Sequence, residues 1–288
     1  MNRNHRAVVK FGGEVVARTS DLLAVLEDIA HLSSAGWSIA ICHGGGPQAT
    51  ALQARLGVAT HKIAGRRVTD APTLQIMKCV LAGEVSIDVC AAAAAVGLRA
   101  VGLSGVSAHL VTARRRGAKV VEGAGSEPVD FGLVGDVESI RGELLEHLWA
   151  GGYVPVVNTL GVAAQARSGR ACEVYNINAD TVAAAIAASL EVDHLFLVTD
   201  VPGVLRDVAD PGSRIPRLSR TDAQRAIADG TIRGGMIPKV AEALDNLTKG
   251  IGAVHILGAT RGALGEAALS PGSCGTVIVD DATSSEAQ

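Results

Sequence analysis

A chain of 288 residues with 48 % hydrophobic side chains can bury one large α/β core or two lobes sharing an interface, and at 2 % aromatic content that core must be built from Ala, Val, Leu and Ile. The formal net charge of -3 argues against a nucleic-acid protein, and the one basic run, Arg114-Arg115-Arg116, reads as a solvated turn. Five scattered cysteines (Cys42, Cys79, Cys90, Cys172, Cys274) form no C-x-x-C pair, no apolar run spans a bilayer, and Met1 to Arg6 lead into an apolar strand without a signal-peptide core, so a soluble, reduced, cytoplasmic protein is expected.

Short apolar runs alternate with helix-period segments along the chain. Residues 7–11 predict a strand stopped by Gly12-Gly13. Ser20 reads as the cap of a helix to residue 34, with Leu22, Val25, Leu26, Ile29 and Ala30 on one face. Gly36 ends it, 38–42 forms a second strand, and Gly44-Gly45-Gly46 follows with Pro47 at a first helical position. This order predicts an α/β fold, an open αβα sandwich with a mainly parallel central sheet. Helices at 70–82 and 84–96 then precede a strand at 99–103. Segments near 108–112, 118–121 and 132–137 read as antiparallel hairpins decorating the sheet, before a helix at 139–150 and a strand at 154–157.

Beyond Cys172 the pattern starts afresh. It gives a helix at 179–190, a strand at 195–198, an irregular stretch at 200–218, helices at 221–228 and 236–248, and strands at 253–256 and 276–279. The tail 283–288 is polar and expected to fray. No repeat or linker divides the chain, so two lobes, 1–172 and 173–288, are expected to share one sheet.

The residues that carry chemistry cluster at predicted strand ends, where open α/β sheets bind ligands. Glycines there let backbone N–H groups approach a phosphate. Lys10 ends the first strand immediately before such a turn. Gly44 to Ala49 satisfies G-x-G-x-x-A, but no second strand ending in an acid follows, and no G-x-x-x-x-G-K-[ST] occurs; a dinucleotide fingerprint and an ordinary P-loop are both disfavoured. Extended Asn176-Ile177-Asn178 puts two amides on one side of the backbone, just ahead of Asp180 in the first turn of a helix that Asn178 is placed to cap. Thr199-Asp200-Val201-Pro202-Gly203 is a third strand-end turn. In Gly235-Met236-Ile237-Pro238-Lys239 a cation sits in a first helical turn, against the dipole, which an anionic partner would resolve.

Together these motifs, with Gly65-Arg66-Arg67-Val68-Thr69-Asp70, Val101 to Gly105 and Gly132 to Asp136, resemble the amino-acid kinase family. Within it the likeness is to members that phosphorylate the side-chain carboxylate of N-acetyl-L-glutamate with ATP, in arginine biosynthesis. The resemblance implies an N-terminal lobe for the acidic substrate, a C-terminal lobe for nucleotide, and Mg2+ held mainly through the nucleotide phosphates, with no protein metal site. It assigns Lys10 and Lys239 to the phosphoryl group in flight and Asp180 to holding both lysines. Gly45, Gly46, Arg67, Asn176 and Asn178 would bind the acid. Gly12, Gly13, Gly44, Thr199, Asp200, Gly203 and Met236 would line the nucleotide site. A carboxylate acceptor is already ionised, so catalysis reduces to positioning and charge neutralisation, and no general base is required.

Three departures bear on substrate and assembly. Arg66 stands where the family has an apolar residue, and Gly105 to His109 replaces its usual loop. Lys10 lies early in the chain, and Ala267 and Ser270 replace a Glu and a Thr ahead of Gly275-Thr276, so a homodimer with weak or no arginine inhibition is expected. Two other readings stay open: a carrier-bound aminoadipyl or glutamyl group (or another carboxylate) as acceptor, and a non-catalytic nucleotide or amino-acid sensor.

Overall fold

Eight strands form the central sheet of the computed structural model: Arg6–Phe11 (β1), Ser38–His43 (β2), Ala100–Ser104 (β3), Val154–Asn158 (β4), His194–Thr199 (β5), Arg217–Ser219 (β6), Ala253–Gly258 (β7) and Thr276–Val279 (β8). Their order is β6-β8-β7-β5-β1-β2-β4-β3, and only the β7–β8 pair is antiparallel. The structure describes residues 4–121, 123, 125–166, 169–207, 209–234 and 236–281. Gly235, Met1, Asn2 and Arg3, and the predicted frayed tail 283–288, lie outside these.

The central strands are apolar on both faces, as a parallel sheet covered by helices requires. Alternation along β1 sends Ala7, Val9 and Phe11 into one core with Ile39, Ile41 and Val198, and Val8 into the other with Ala40, Cys42 and Leu195. The first core receives Leu22, Val25, Leu26 and Ile29 of the helix Thr19–Ser34. The second receives Val182, Ala183 and Ile186 of the helix Ala179–Ser189, and Val240 and Leu244 of the helix Met236–Leu247. Lys10 shares the parity of Val8, so β1 aims it at the face carrying these two helices.

One buried carboxylate ties the ends of the chain together. Asp28 accepts from the backbone N–H groups of Gly262 (2.9 Å), Leu264 (3.0 Å) and Gly265 (3.3 Å). It thereby satisfies the open N-terminus of the helix Ala263–Leu269, whose own cap residue, Gly262, has no side chain for the task.

Several expectations are corrected. Arg18, not Ser20, precedes the helix Thr19–Ser34 and pairs with Asp21 at 2.5 Å. The predicted helices across 70–96 are one path through Ala71–Lys78, a π-helical turn Cys79–Val85 and Ser86–Ala95. Ser139 and Ile140 belong to the strand Gly135–Ile140, and the helix begins at Glu143. The decorating hairpins are a second sheet in the order Val174–Asn176, Leu160–Val162, Val111–Arg115, Gly135–Ile140, with one parallel link, Thr112 to Val162. Among the described residues no helix is long and apolar enough to cross a membrane.

Candidate functional site

Parallel pairing brings three strand ends level: Phe11 is in register with His43 of β2 and with Val198 of β5. The turns after them, Gly12, Gly44 to Gly46 and Asp200, therefore share one edge of the sheet. Lys10 reaches from β1 to Asp180 at the start of the facing helix, with Nζ 2.6 Å from Oδ1 and side-chain exposures of only 15 % and 27 %. Lys239 is held differently from expectation. Its Nζ donates to Thr199 Oγ1 at 2.7 Å and lies 4.0 Å from Asp200 Oδ1, so Asp180 anchors one lysine and the β5 turn anchors the other. Thr199 Oγ1 in turn donates to Asp200 Oδ1 at 2.8 Å, and this hydrogen bond chiefly holds the Asp200 carboxyl below the usual range.

These groups line a cavity of about 290 Å³ shared by Lys10, Gly12, Asp180, Thr199, Asp200 and Lys239. A second cavity of about 550 Å³ adjoins it, bounded by Gly44, Gly45, Gly46, Arg67, Asn176 and Asn178. Asn178 Oδ1 caps the helix by accepting from Asp180 N at 2.8 Å, and Asn176 Nδ2 donates to Thr69 Oγ1 at 3.1 Å. Arg67 donates to Gly46 O (3.0 Å), to Thr50 Oγ1 (2.7 Å) and to Gln53 Oε1. Burial makes its guanidinium somewhat easier to deprotonate, yet it remains a cation at physiological pH. Gln53 is fully buried, and its Nε2 reaches Thr73 Oγ1 at 3.3 Å. It was missed in the sequence, although Thr50 and Gln53 are spaced i, i+3 on one face of the helix Gly46–Arg55, the spacing that pairs side chains.

Three predicted residues line neither cavity. Gly13 is buried where its turn packs on the next one, with Gln48 Nε2 donating to its carbonyl at 2.8 Å. Gly203, at φ +150, packs on the Gly275-Thr276 turn, where a Cβ would stand 2.8 Å from Thr276 Oγ1. Met236 points into the core at 5 % exposure, because the apolar face of its helix is the packed one. Gly44, expected on the nucleotide side, borders the second cavity.

Among the described residues, the thiol and imidazole that end β2 are neither an activated nucleophile nor a poised base. Burial pushes the Cys42 thiol up to about 12 and pulls His43 down to about 4. A larger residue at Gly45 would be crowded: Leu81 and Val85 of the π-helical turn press on it, and a Cβ there would stand 2.9 Å from Leu81 Cδ2. Glu242, also missed, is the single residue among those described that borders both cavities. Its signal was available, since it lies one helical turn beyond Lys239.

The arrangement, two ammonium groups and glycine turns facing an arginine and two amides, suits transfer of a phosphoryl group between two anions. A sequence model of the family described as the amino acid kinase family matches residues 5–258. The acetylglutamate kinase of Anaeromyxobacter dehalogenans (strain 2CP-C) is 51 % identical over 273 residues, covering 94 % of this chain and 98 % of that protein. That of Sorangium cellulosum (strain So ce56) is 50 % identical over 274 residues, covering 94 % of each. The solved structure of carbamate kinase from Giardia lamblia bound to AMP-PNP superposes with a TM-score of 0.65 over 98 % of this chain and 100 % of that one; at 18 % identity it speaks to the fold alone.

Proposed function

The chain belongs to the amino acid kinase family, and we propose that it is a cytoplasmic kinase that phosphorylates the side-chain carboxylate of N-acetyl-L-glutamate with ATP, forming an acyl phosphate for arginine biosynthesis. The observation that carries this reading is the convergence of Lys10 and Lys239 on one cavity, beside a second cavity fitted for an acid. The five cysteines are free, which suits a reducing compartment.

The residues present fit a nucleotide. The 290 Å³ cavity offers two ammonium groups and the Gly12 turn, and the N-terminus of the helix Gly46–Arg55 opens onto the adjoining cavity. ATP supplies the transferable phosphoryl group, and Mg2+ carried on its phosphates supplies counter-charge. Arg67, braced by Gln53 and Thr50, holds the acid's static carboxylate, and Asn176 and Asn178 fix the rest of it. The reacting carboxylate attacks as the anion it already is, so the absence of a base at His43 costs nothing. Lys10 and Lys239 neutralise charge spreading over the transferred oxygens, and Asp180 fixes the Lys10 ammonium in the gap. In this division residues 1–172 form the acid-binding lobe and 173–288 the nucleotide-binding lobe.

Hydroxylamine trapping tests the assignment. With Mg2+ and ATP, acyl-hydroxamate is expected from N-acetylglutamate, and little or none from free glutamate or N-acetyl-aminoadipate. Silence with all three while nucleotide still binds would overturn it. A carrier-bound acceptor is disfavoured because two arginines of the basic run are already engaged, Arg115 with Asp130 at 2.9 Å and Arg116 with Asp136 at 2.7 Å.

The same reading includes a homodimer. Ile87 is 66 % exposed on the helix Ser86–Ala95, which packs under β3, the edge strand of the sheet, so an apolar helix face and an open edge lie together. Light scattering should give twice the 29.3 kDa chain mass, and a monomer or a hexamer would refute it.

A further inference from the structure

The residue common to both cavities is outside every motif. Glu242 lies on the helix Met236–Leu247 three residues after Lys239, so both side chains issue from the same face. It borders the smaller cavity with Lys10 and Asp180 and the larger with Gly45 and Asn178. It is half buried and forms no hydrogen bond or ion pair with another described residue. A carboxylate in that place opposes the purpose of the gap. Two anions must meet there, and each lysine already has an acidic partner.

Resting on the kinase reading above, we propose that Glu242 is a positioning residue that must carry a proton for the two anionic ligands to meet at Lys10. Protonated, it adds no charge and offers an O–H donor to the anions at the junction. Ionised, it competes with Asp180 for the Lys10 ammonium and repels both ligands. Its surroundings set the balance. Burial first, then the charge of Asp180, push its carboxyl up to about 7, with Lys10 and Lys249 pulling down and Asp245 pushing up. Lys239 shares its face, Glu14 and Asp200 stand across the smaller cavity, and Arg66, Arg67, Arg116 and Lys119 stand across the larger.

The sign follows from these charges. Two incoming anions raise the proton affinity of Glu242 further, so binding above neutrality takes a proton from solvent. The value of kcat/KM for the acid reports the free enzyme's ionisation. It should therefore be level below pH 7 and fall about tenfold per unit above it.

The test compares the chain with Glu242→Gln and Glu242→Asp from pH 6 to 9, following ADP release. Gln, uncharged throughout, should lose the alkaline fall and exceed the parent at pH 8.5 by roughly thirtyfold, while Asp keeps the fall. Calorimetric titration with MgADP at pH 8, in two buffers of different ionisation enthalpy, should show proton uptake by the parent and none by Glu242→Gln. Superimposable pH profiles for the parent and Glu242→Gln, or no uptake by the parent, would overturn the role. If no variant makes acyl phosphate, the kinase reading fails by itself, and the titration still decides on Glu242.

Discussion

Replacing Lys10 by alanine is expected to lower kcat for acyl-phosphate formation roughly 10²–10³-fold, the usual loss when one preorganised charge-stabilising donor is removed. KM for the acid should change much less, because Lys10 lines the smaller cavity, whereas Arg67 and Asn176, to which the proposed function assigns the acid, line the larger. Lys10 is the more rigid of the two lysines. It is 15 % exposed and 2.6 Å from Asp180, whereas Lys239 is 38 % exposed on Thr199. Removing it also leaves Asp180 without its ion-pair partner, so the variant places an uncompensated carboxylate on the cavity that Lys10 lines. Asp180→Asn should cost less, since it frees the Lys10 ammonium without deleting it, and the double variant should be no worse than Lys10→Ala alone. Steady-state kinetics decide the point. An unchanged kcat with a raised KM would make Lys10 a binding group only.

Lys10 could be anticipated because its signal is local: an apolar strand that ends in a lysine and two glycines states its own position. The same holds for the seven central strands read from apolar runs, and for Asn178, whose capping role follows from one side chain and the next turn. What stayed hidden depends on long-range pairing. Strands as short as Leu160–Val162, Val174–Asn176 and Arg217–Ser219 show no alternation of their own, and exist because partners far along the chain present an edge. Gly13, Gly203 and Met236, expected along the nucleotide site, line neither cavity for a related reason. Their expectation rested on proximity to a motif, whereas packing between turns, or the apolar face of a helix, determines what they pack against. Glu242 is the converse case. It belongs to no motif, yet the helix carries it to the junction of both cavities.

Gly13→Ala follows from that packing and should be the most damaging glycine substitution at the site. A Cβ at Gly13 would stand 2.8 Å from Pro47 Cδ and 3.0 Å from the Gly45 Cα, with Gln48 closer still. Neither neighbour yields easily: Pro47 is fixed in the first turn of its helix, and Gly45 is pinned from behind by Leu81 and Val85. The two glycine turns must therefore move apart, and in the proposed function they line the cavities that bring the two ligands together. Displacement of reacting groups by about 1 Å costs on the order of 10²-fold in rate, and overpacking a tight contact costs about 1–3 kcal/mol of stability. Both losses are expected, measured as kcat and as the urea midpoint. Gly83→Ala in the π-helical turn is the control, because nothing lies within 4 Å of its Cβ position and its φ is ordinary. If Gly13→Ala turned over at the parental rate, the spacing between the turns would not govern transfer, and alignment would have to come from Arg67 and the lysines alone.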